Sequence, residues 1–266
     1  MTLPGFLLSL AAISLASAAP AWKDELTSPA PGSYPPVPSS VLDLQLSWKG
    51  MLNAGKLRME FAPKDAEKTG VLVVRSSATS LGPAAGLFPY KHHLWSELDP
   101  ATLKPRFFHA VETDKKETLT TTNRHFANRV ESAEISKLLP KGATTRTDRS
   151  FQFAPVFDIF SAMLHIRSQK LGNGDHITLV IHPFDNPYLL RVKVLGHEKH
   201  LGRDAIRLNV GMRKIDRKTL ELLPYKKLKK DATLWLSDDA DRIPIEFRAA
   251  VFIGDVRATL TGFKKS

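Results

Sequence analysis

The sequence predicts a mainly β fold: an antiparallel, strongly curved sheet or incomplete barrel, with one principal helix packed on its concave face. Three observations lead there. After residue 41 apolar residues recur at every second position, as in Leu42, Leu44, Leu46 and Trp48, which alternate with Asp43, Gln45 and Ser47. That period sets one face on a core and the other in water, and it favours antiparallel pairing. One stretch, 154–169, breaks the period: Val156, Phe157, Ile159, Phe160, Met163 and Leu164 form a broad helical face. So wide an apolar stripe needs cover, which the concave side of a sheet supplies most simply.

Before the domain come two segments of different character. The first twenty residues carry no charged side chain, and an apolar run from Phe6 to Leu15 is followed by Ala16-Ser17-Ala18, a small-x-small cleavage pattern. Residues 1–18 read as a secretory signal peptide. The run is shorter than the ~20 residues needed to span a bilayer, so no membrane anchor is expected in the mature chain. Export to the periplasm or medium is the expected address. Residues 19–40 hold Pro20, Pro29, Pro31, Pro35, Pro36 and Pro38 among Ser, Ala and Gly. Proline fixes its own φ and lacks the amide donor, so this is a linker or an arm lying on the surface. Residues 41–266 are then one β-rich domain.

Within that domain, strands are expected at 41–48, 57–61, 70–79, 106–113, 116–124, 176–183, 188–197, 204–211, 231–237 and 243–262. Gly50 with Gly55, and Gly172 with Gly174, mark turns or bulges. The helix is expected over 154–169, with Pro155 in its first turn and Gly172 as its stop.

Composition excludes several activities. The chain has 266 residues, no Cys, nine His, 38 basic and 27 acidic residues, for a net charge of +11. Disulfide frameworks, thiolate metal sites, cysteine nucleophiles and lipid attachment through cysteine are all impossible. Walker loops, dinucleotide-binding glycine fingerprints and the G-x-S-x-G elbow are missing from the sequence, so no cofactor is expected.

Three constellations invite a chemical reading. Asp158, Ser161 and His165 share one helix face and could be read as a hydrolase triad, but a nucleophile flat on a helix lacks oxyanion donors, and a polar stripe with Asp158 near the helix start explains them better. His197, Glu198 and His200 fall one residue short of H-E-x-x-H, and His92-His93 is no defined third ligand, so no metal is expected. Asp238, Asp239 and Asp241 lack the Gly and Glu of a calcium loop and read as a hairpin turn. No catalytic residue is assigned.

Two binding surfaces remain. Phe157, Phe160, Met163 and Leu164 would line or plug an apolar site for a lipid or other amphiphile. Arg213, Lys214, Lys226, Lys227, Lys229 and Lys230 would contact a polyanion such as an anionic envelope surface, while export argues against nucleic acid. The expected function is thus a non-enzymatic envelope protein binding an amphiphile. The alternative is a structural or interaction module that docks a protein or polyanionic partner through its basic face. A hydrolase is the remote third.

Several stretches together resemble one family. Phe157 to Arg167 followed by Leu171-Gly172-Asn173-Gly174-Asp175 is similar to its "D-x-x-S-A-x-x-x-x-R … L-x-x-G-D" helix and turn. Gly196-His197-Glu198 with Gly202 resembles its "G-x-E … G" segment, and Leu234 to Pro244 its "W-x-S-D-D-x-x-R-x-P" hairpin. Trp48-Lys49-Gly50 with Gly55 resembles its opening strand pair. The family is number 3108 among the domains of unknown function. The resemblance spans roughly 41–262 and implies an exported bacterial β-rich protein without an assigned reaction, hence no catalytic residues to carry over.

Overall fold

The computed structural model describes residues 20–50, 52–64, 70–225, 230–251 and 254–265. The signal-peptide reading of 1–18 and the polyanion contacts assigned to Lys226, Lys227 and Lys229 lie outside the described residues. Fifteen strands are found among the described residues: β1 (Ser40–Trp48), β2 (Leu52–Phe61), β3 (Leu72–Ser80), β4 (Lys91–Leu98), β5 (Pro105–Thr113), β6 (Glu117–His125), β7 (Val130–Leu138), β8 (Thr144–Phe151), β9 (His176–Ile181), β10 (Tyr188–His200), β11 (Arg203–Ile215), β12 (Leu222–Pro224), β13 (Ala232–Ser237), β14 (Pro244–Val251) and β15 (Gly254–Lys265). Two α-helices accompany them, a short α1 (Gly82–Leu87) and the principal α2 (Ile159–Ser168).

All the strands belong to one antiparallel sheet in the order β8-β7-β6-β5-β4-β3-β2-β1-β15-β14-β13-β11-β10-β9, with β12 added on β11. Strands β1 to β8 are a plain meander, in which sequence neighbours are also spatial ones. The last strand returns beside the first, Ser40 opposite Lys265, so the two ends of the domain are stitched together. The tight β10–β11 turn is Leu201-Gly202, both at positive φ (50° and 76°). That is the backbone a two-residue hairpin needs to match the strand twist.

The expected strongly curved sheet or incomplete barrel is corrected. The sheet is large and open, neither closed into a barrel nor strongly curved, and its end strands β8 and β9 do not pair. The reason is at the edges. The free edge of β9 is already satisfied: Thr178 exchanges hydrogen bonds with Thr27 of the arm, and Val180 and His182 bond the backbone of Phe157. Strand β8 is mostly exposed and carries Arg146, Asp148 and Arg149, charges that discourage pairing at an edge. Period two reports which face is buried; it is silent on what meets the last strand.

Helix α2 also differs from its expected span. Residues 154–157 are not helical; Phe157 instead makes a bridge to Ile181, and Asp158 is the N-cap. The helix then separates two apolar clusters. Phe160 and Leu164 pack with Leu42, Leu44, Phe61, Val74, Leu98 and Phe108. Ala162 and Ile166 pack with Leu179, Val192, Ile206, Leu208 and Leu236. A third cluster joins Trp22 of the arm to Phe151, Val156, Leu189 and Ile215.

The arm is docked along its length. Trp22, in a 3-10 turn over Ala21–Glu25, is buried and donates its indole N–H to the Leu220 carbonyl at 2.9 Å. Glu25 pairs with Arg191 at 2.7 Å. Gly32 and Tyr34 donate their backbone N–H groups to Ser168. A Cβ built on Gly32 would stand 2.1 Å from the Ser168 carbonyl oxygen, so only glycine allows this approach.

Candidate functional site

The residues with the strongest chemical look converge on one polar joint between α2, the turn after it and the β13–β14 hairpin. At the start of the helix the Asp158 carboxylate accepts from the Ser161 N–H at 2.7 Å, and the Ser161 hydroxyl accepts from the Asp158 N–H at 2.7 Å. This is a reciprocal capping box. The second carboxylate oxygen accepts from Ser96 on β4, tying the helix to the sheet. Burial pushes the Asp158 carboxyl above its ordinary range, against the pull of the Ser161 and Ser96 hydrogen bonds.

His165 completes no triad with these two. Its ring lies 5.0 Å from that of Phe157, and its Nε2 faces the Gln169 amide at 3.3 Å. Burial pulls its pKa down to about 4. All three side chains are fully buried, so no substrate reaches the Ser161 hydroxyl.

At the far end of the helix two arginines do the work of a C-cap. Arg242 donates to the carbonyl of Arg167 (2.9 Å), an orphan acceptor of the last turn, and to those of Gln169 and Lys170 (2.9 Å) just beyond it. Its guanidinium lies 3.2 Å from the ring centroid of Tyr34. Arg167 in turn donates to Pro35 of the arm (2.6 Å) and to Ala240 and Asp241 of the hairpin. Burial, and then the nearby Arg242, lower the Arg167 pKa to about 10. The turn that follows is closed by Asp175 accepting from Gly172 N–H at 2.7 Å.

The hairpin residues are equally spent. Asp239 accepts from the Ser237 hydroxyl and from the N–H groups of Asp241 and Arg242, the turn chemistry of a short polar side chain. Trp235 donates to Glu198 at 2.8 Å, stacks on His200 at 4.2 Å and carries the Arg248 guanidinium 4.8 Å from its ring centroid. His200 and Arg248 both meet Glu246, while His197 bonds Asp238 at 2.7 Å. His197 and His200 thus face different carboxylates, and no group of three metal-ligating side chains occurs among the described residues. The motif residues therefore build a structural lock rather than a reaction centre.

The amphiphile-lining residues fall on both sides of the helix. Phe157, Phe160 and Leu164 are buried in apolar clusters, and Met163 is half-buried beside Phe160 and Leu164. Leu164 also lines a mostly apolar cavity of about 400 Å³ under the arm, with Pro31, Val37, Leu72 and Leu103. Among the polyanion-contacting residues, Arg213 and Lys214 lie on β11 opposite Pro224 and Leu223, and Lys230 precedes β13. Arg213 and Lys230 are exposed, Lys214 half-buried.

One site escaped sequence reasoning. On β6 to β8 the positions facing the interior include Thr121, Asn123, Ser132, Glu134 and Arg149 where the rest of the sheet presents Leu, Val and Phe. The Asn123 amide donates to the carbonyls of His182 (3.2 Å) and Phe184 (2.8 Å), pinning the 182–187 loop above them. Arg149 spans Glu134 (3.4 Å) and Asp185 (3.5 Å). Burial drives His182 down to about 3, with repulsion from His125 and Arg217 adding to it, and drives His125 down to about 4. The only sequence signal was negative: polar residues at interior phase, which lowers the apparent strand periodicity and hides β7 and β8.

Fold and site together define a class: an open, single-sheet antiparallel β protein, locked through one capped helix, with no assembled reaction centre among the described residues. The chain belongs to the family described as "Protein of unknown function (DUF3108)", whose model matches residues 43–261. No curated protein matches it. Among solved structures it is similar to a beta-barrel-like protein of domain of unknown function DUF1849 from Brucella abortus, at 10% identity and a TM-score of 0.54, covering 87% of this chain and 99% of that one. That likeness concerns the fold alone. A putative exported protein with a YmcC-like fold from Bacteroides fragilis aligns at 9% identity over 89% of this chain and 100% of its own, but with a TM-score of 0.32, too low to argue from. No helix among the described residues is long and apolar enough to cross a membrane.

Proposed function

We propose that this is a non-enzymatic exported protein of the cell envelope that holds the apolar part of an amphiphile between its proline-rich arm and helix α2. The observation that carries this reading is the cavity of about 400 Å³ lined by Pro31, Pro35, Pro36, Val37, Leu72, Pro100, Leu103 and Leu164. Its volume is in the range of small-molecule sites, and an apolar lining with a few polar groups at one end is what such sites share. Arg167, Ser168 and Tyr34 supply polar groups to this lining. The uncharged leader at 1–18 supports export, and Arg213 and Lys214 support approach to an anionic surface.

The test is native mass spectrometry of mature protein purified from the periplasm without detergent. A heavier species that collapses to the chain mass after organic extraction is expected. The Leu164→Trp variant, which fills the cavity, should lose the heavier species while keeping its circular dichroism. Should that variant misfold, Val37→Trp fills the same space from the arm. A wild type that carries only its chain mass and binds no fluorescent fatty-acid probe refutes the proposal.

A further inference from the structure

The meander sends the turns after β1, β3, β5 and β7 to one end of the sheet, and register lines them up: Lys91 stands opposite Thr113, and Glu117 opposite Leu138. Hydrogen bonds fix one tip against the next. The Leu81 N–H donates to the Ala54 carbonyl at 2.9 Å, the Leu139 N–H to that of Lys116 at 2.7 Å, and the Tyr90 hydroxyl to Glu112 at 2.5 Å. Seven strand spacings of about 4.8 Å make this rim about 34 Å long. Among the described residues thirteen large hydrophobic side chains are exposed, and six of them lie here: Leu52, Leu87, Phe88, Tyr90, Leu138 and Leu139. The described turns at the opposite end carry two, Phe126 and Leu201. The β3–β4 excursion shows the pattern most sharply. Residues 76–90 hold no charged side chain, α1 within them buries none of its residues, and Leu87 and Phe88 are 66% and 50% exposed. Short helices are held by the apolar surface they bury, so an uncharged one that buries nothing points to cover from outside the chain.

Charge says what supplies that cover. Lys49, Lys91, Lys115, Lys116, Lys137 and Lys141 surround the tips, and all six are exposed. None of the six is in an ion pair: among the described residues lysine pairs only at Lys199 and Lys265. The carboxylates of the rim are turned to local use. Glu112 accepts from Tyr90, Glu117 from Ser136, Asp114 from the N–H groups of Lys116 and Glu117, and Asp255 from Arg257. The turns at the other end hold Asp99, Asp238, Asp239 and Asp241 instead. Apolar tips ringed by exposed lysines match an anionic bilayer, whose head-group layer accepts both. A second copy of this chain would set lysines against lysines, and a soluble polyanion would leave the leucines uncovered.

We propose that this end of the sheet docks on an anionic phospholipid bilayer, with Leu87, Phe88 and Leu138 entering the head-group layer and the surrounding lysines meeting lipid phosphates. The inference rests on the envelope location proposed above and not on the amphiphile cavity. That cavity is lined by Pro100, Ala101 and Leu103 of the β4–β5 turn, at the other end of the sheet, so a docked chain holds it away from the bilayer. Arg213 and Lys214 belong with the rim: by the pairing of β11, β13, β14 and β15 the last residues of β11 point the same way.

The experiment is co-sedimentation of the full mature chain with vesicles of phosphatidylglycerol in phosphatidylcholine, and with vesicles of phosphatidylcholine alone. Wild type should sediment with the anionic vesicles, and raising the salt from about 0.1 M to about 0.5 M should weaken the binding. Leu87→Ser with Phe88→Ser should bind roughly tenfold more weakly or worse, for want of two inserted side chains. Lys115→Gln with Lys116→Gln should bind roughly 20-fold more weakly. These four side chains are exposed, so circular dichroism and urea midpoint should stay at wild-type values; should one pair misfold, the other decides. Phe126→Ser with Leu201→Asn, at the opposite end, should bind as wild type does. Leu164→Trp keeps this inference apart from the amphiphile reading: it fills the cavity and should leave vesicle binding unchanged. Binding lost in Leu164→Trp and kept in both rim variants would move the lipid contact to the cavity and overturn the docking. Equal binding by wild type and both rim variants would overturn it too, as the surface of a +11 protein collects anions non-specifically. So would equal binding to both kinds of vesicle, a wild type that binds neither, or a wild-type dimer that ignores vesicles and dissociates when Leu87 and Phe88 are replaced.

Discussion

Lowering the pH from about 7.5 to about 5 should cost this protein about 4 kcal/mol of stability, from two buried histidines alone. His125 ends β6 and His182 follows β9, and burial holds them neutral, at about 4 and about 3, against 6.5 in an unfolded chain. The folded state therefore binds fewer protons than the unfolded state at any pH between those values. Their contribution is fully present above 6.5 and is lost as pH falls toward the folded pKa. Each group loses about 1.36 kcal/mol per pH unit below 6.5, so each is down by about 2 kcal/mol at pH 5. Against a typical total of about 5–15 kcal/mol, that is a large share. His92 and His165, also held at about 4, act in the same direction. Asp158, raised by burial, acts oppositely, stabilising the fold as it gains its proton. Lowered carboxylates such as Asp99, at about 2, lose their contribution only at lower pH.

The assay is urea denaturation followed by tryptophan fluorescence at half-unit pH steps, extrapolated to water. The part of the slope of stability against pH that belongs to His125 and His182 should approach about 2.7 kcal/mol per unit between about pH 6 and 5, two protons' worth. The His125→Gln and His182→Gln double variant should flatten it by that amount. A wild-type stability that is level between pH 7.5 and 5, or a double variant with the wild-type slope, would refute the reasoning.

The remaining predictions concern the joint and the arm. Gly32→Ala should detach the arm, because its Cβ cannot approach the Ser168 carbonyl; limited proteolysis should then cut between residues 20 and 39 much faster, with the sheet's circular dichroism unchanged. Arg242→Lys should lower stability by about 2–4 kcal/mol in urea, since an ammonium cannot span the carbonyls of Arg167, Gln169 and Lys170 at once.

The motifs that drew attention as chemistry have a common physical purpose. Asp158 and Ser161 close the N-terminal end of α2, Arg242 closes its C-terminal end, and Arg167 carries the helix to the hairpin and the arm. A ten-residue helix is too short to be stable alone, so its ends must be satisfied by the rest of the chain. That requirement places Asp, Ser and Arg at spacings that mimic a reaction centre, and it explains why a catalytic reading of Asp158, Ser161 and His165 fails on burial.

What the sequence alone determined is local. Alternation at Leu42, Leu44 and Leu46, or at Val192 and Val194, names a strand and its buried face, because the pleat has a period of two wherever the strand lies. The apolar positions Val156, Phe157, Ile159, Phe160, Met163 and Leu164 likewise name the one long helix, although it starts only at Ile159. Strands β7 and β8 were not legible, because Ser132, Glu134 and Arg149 occupy interior positions and break the apolar period. Closure was not legible either. Whether β8 meets β9 depends on the Thr178 edge being taken by Thr27, some 150 residues earlier in the chain.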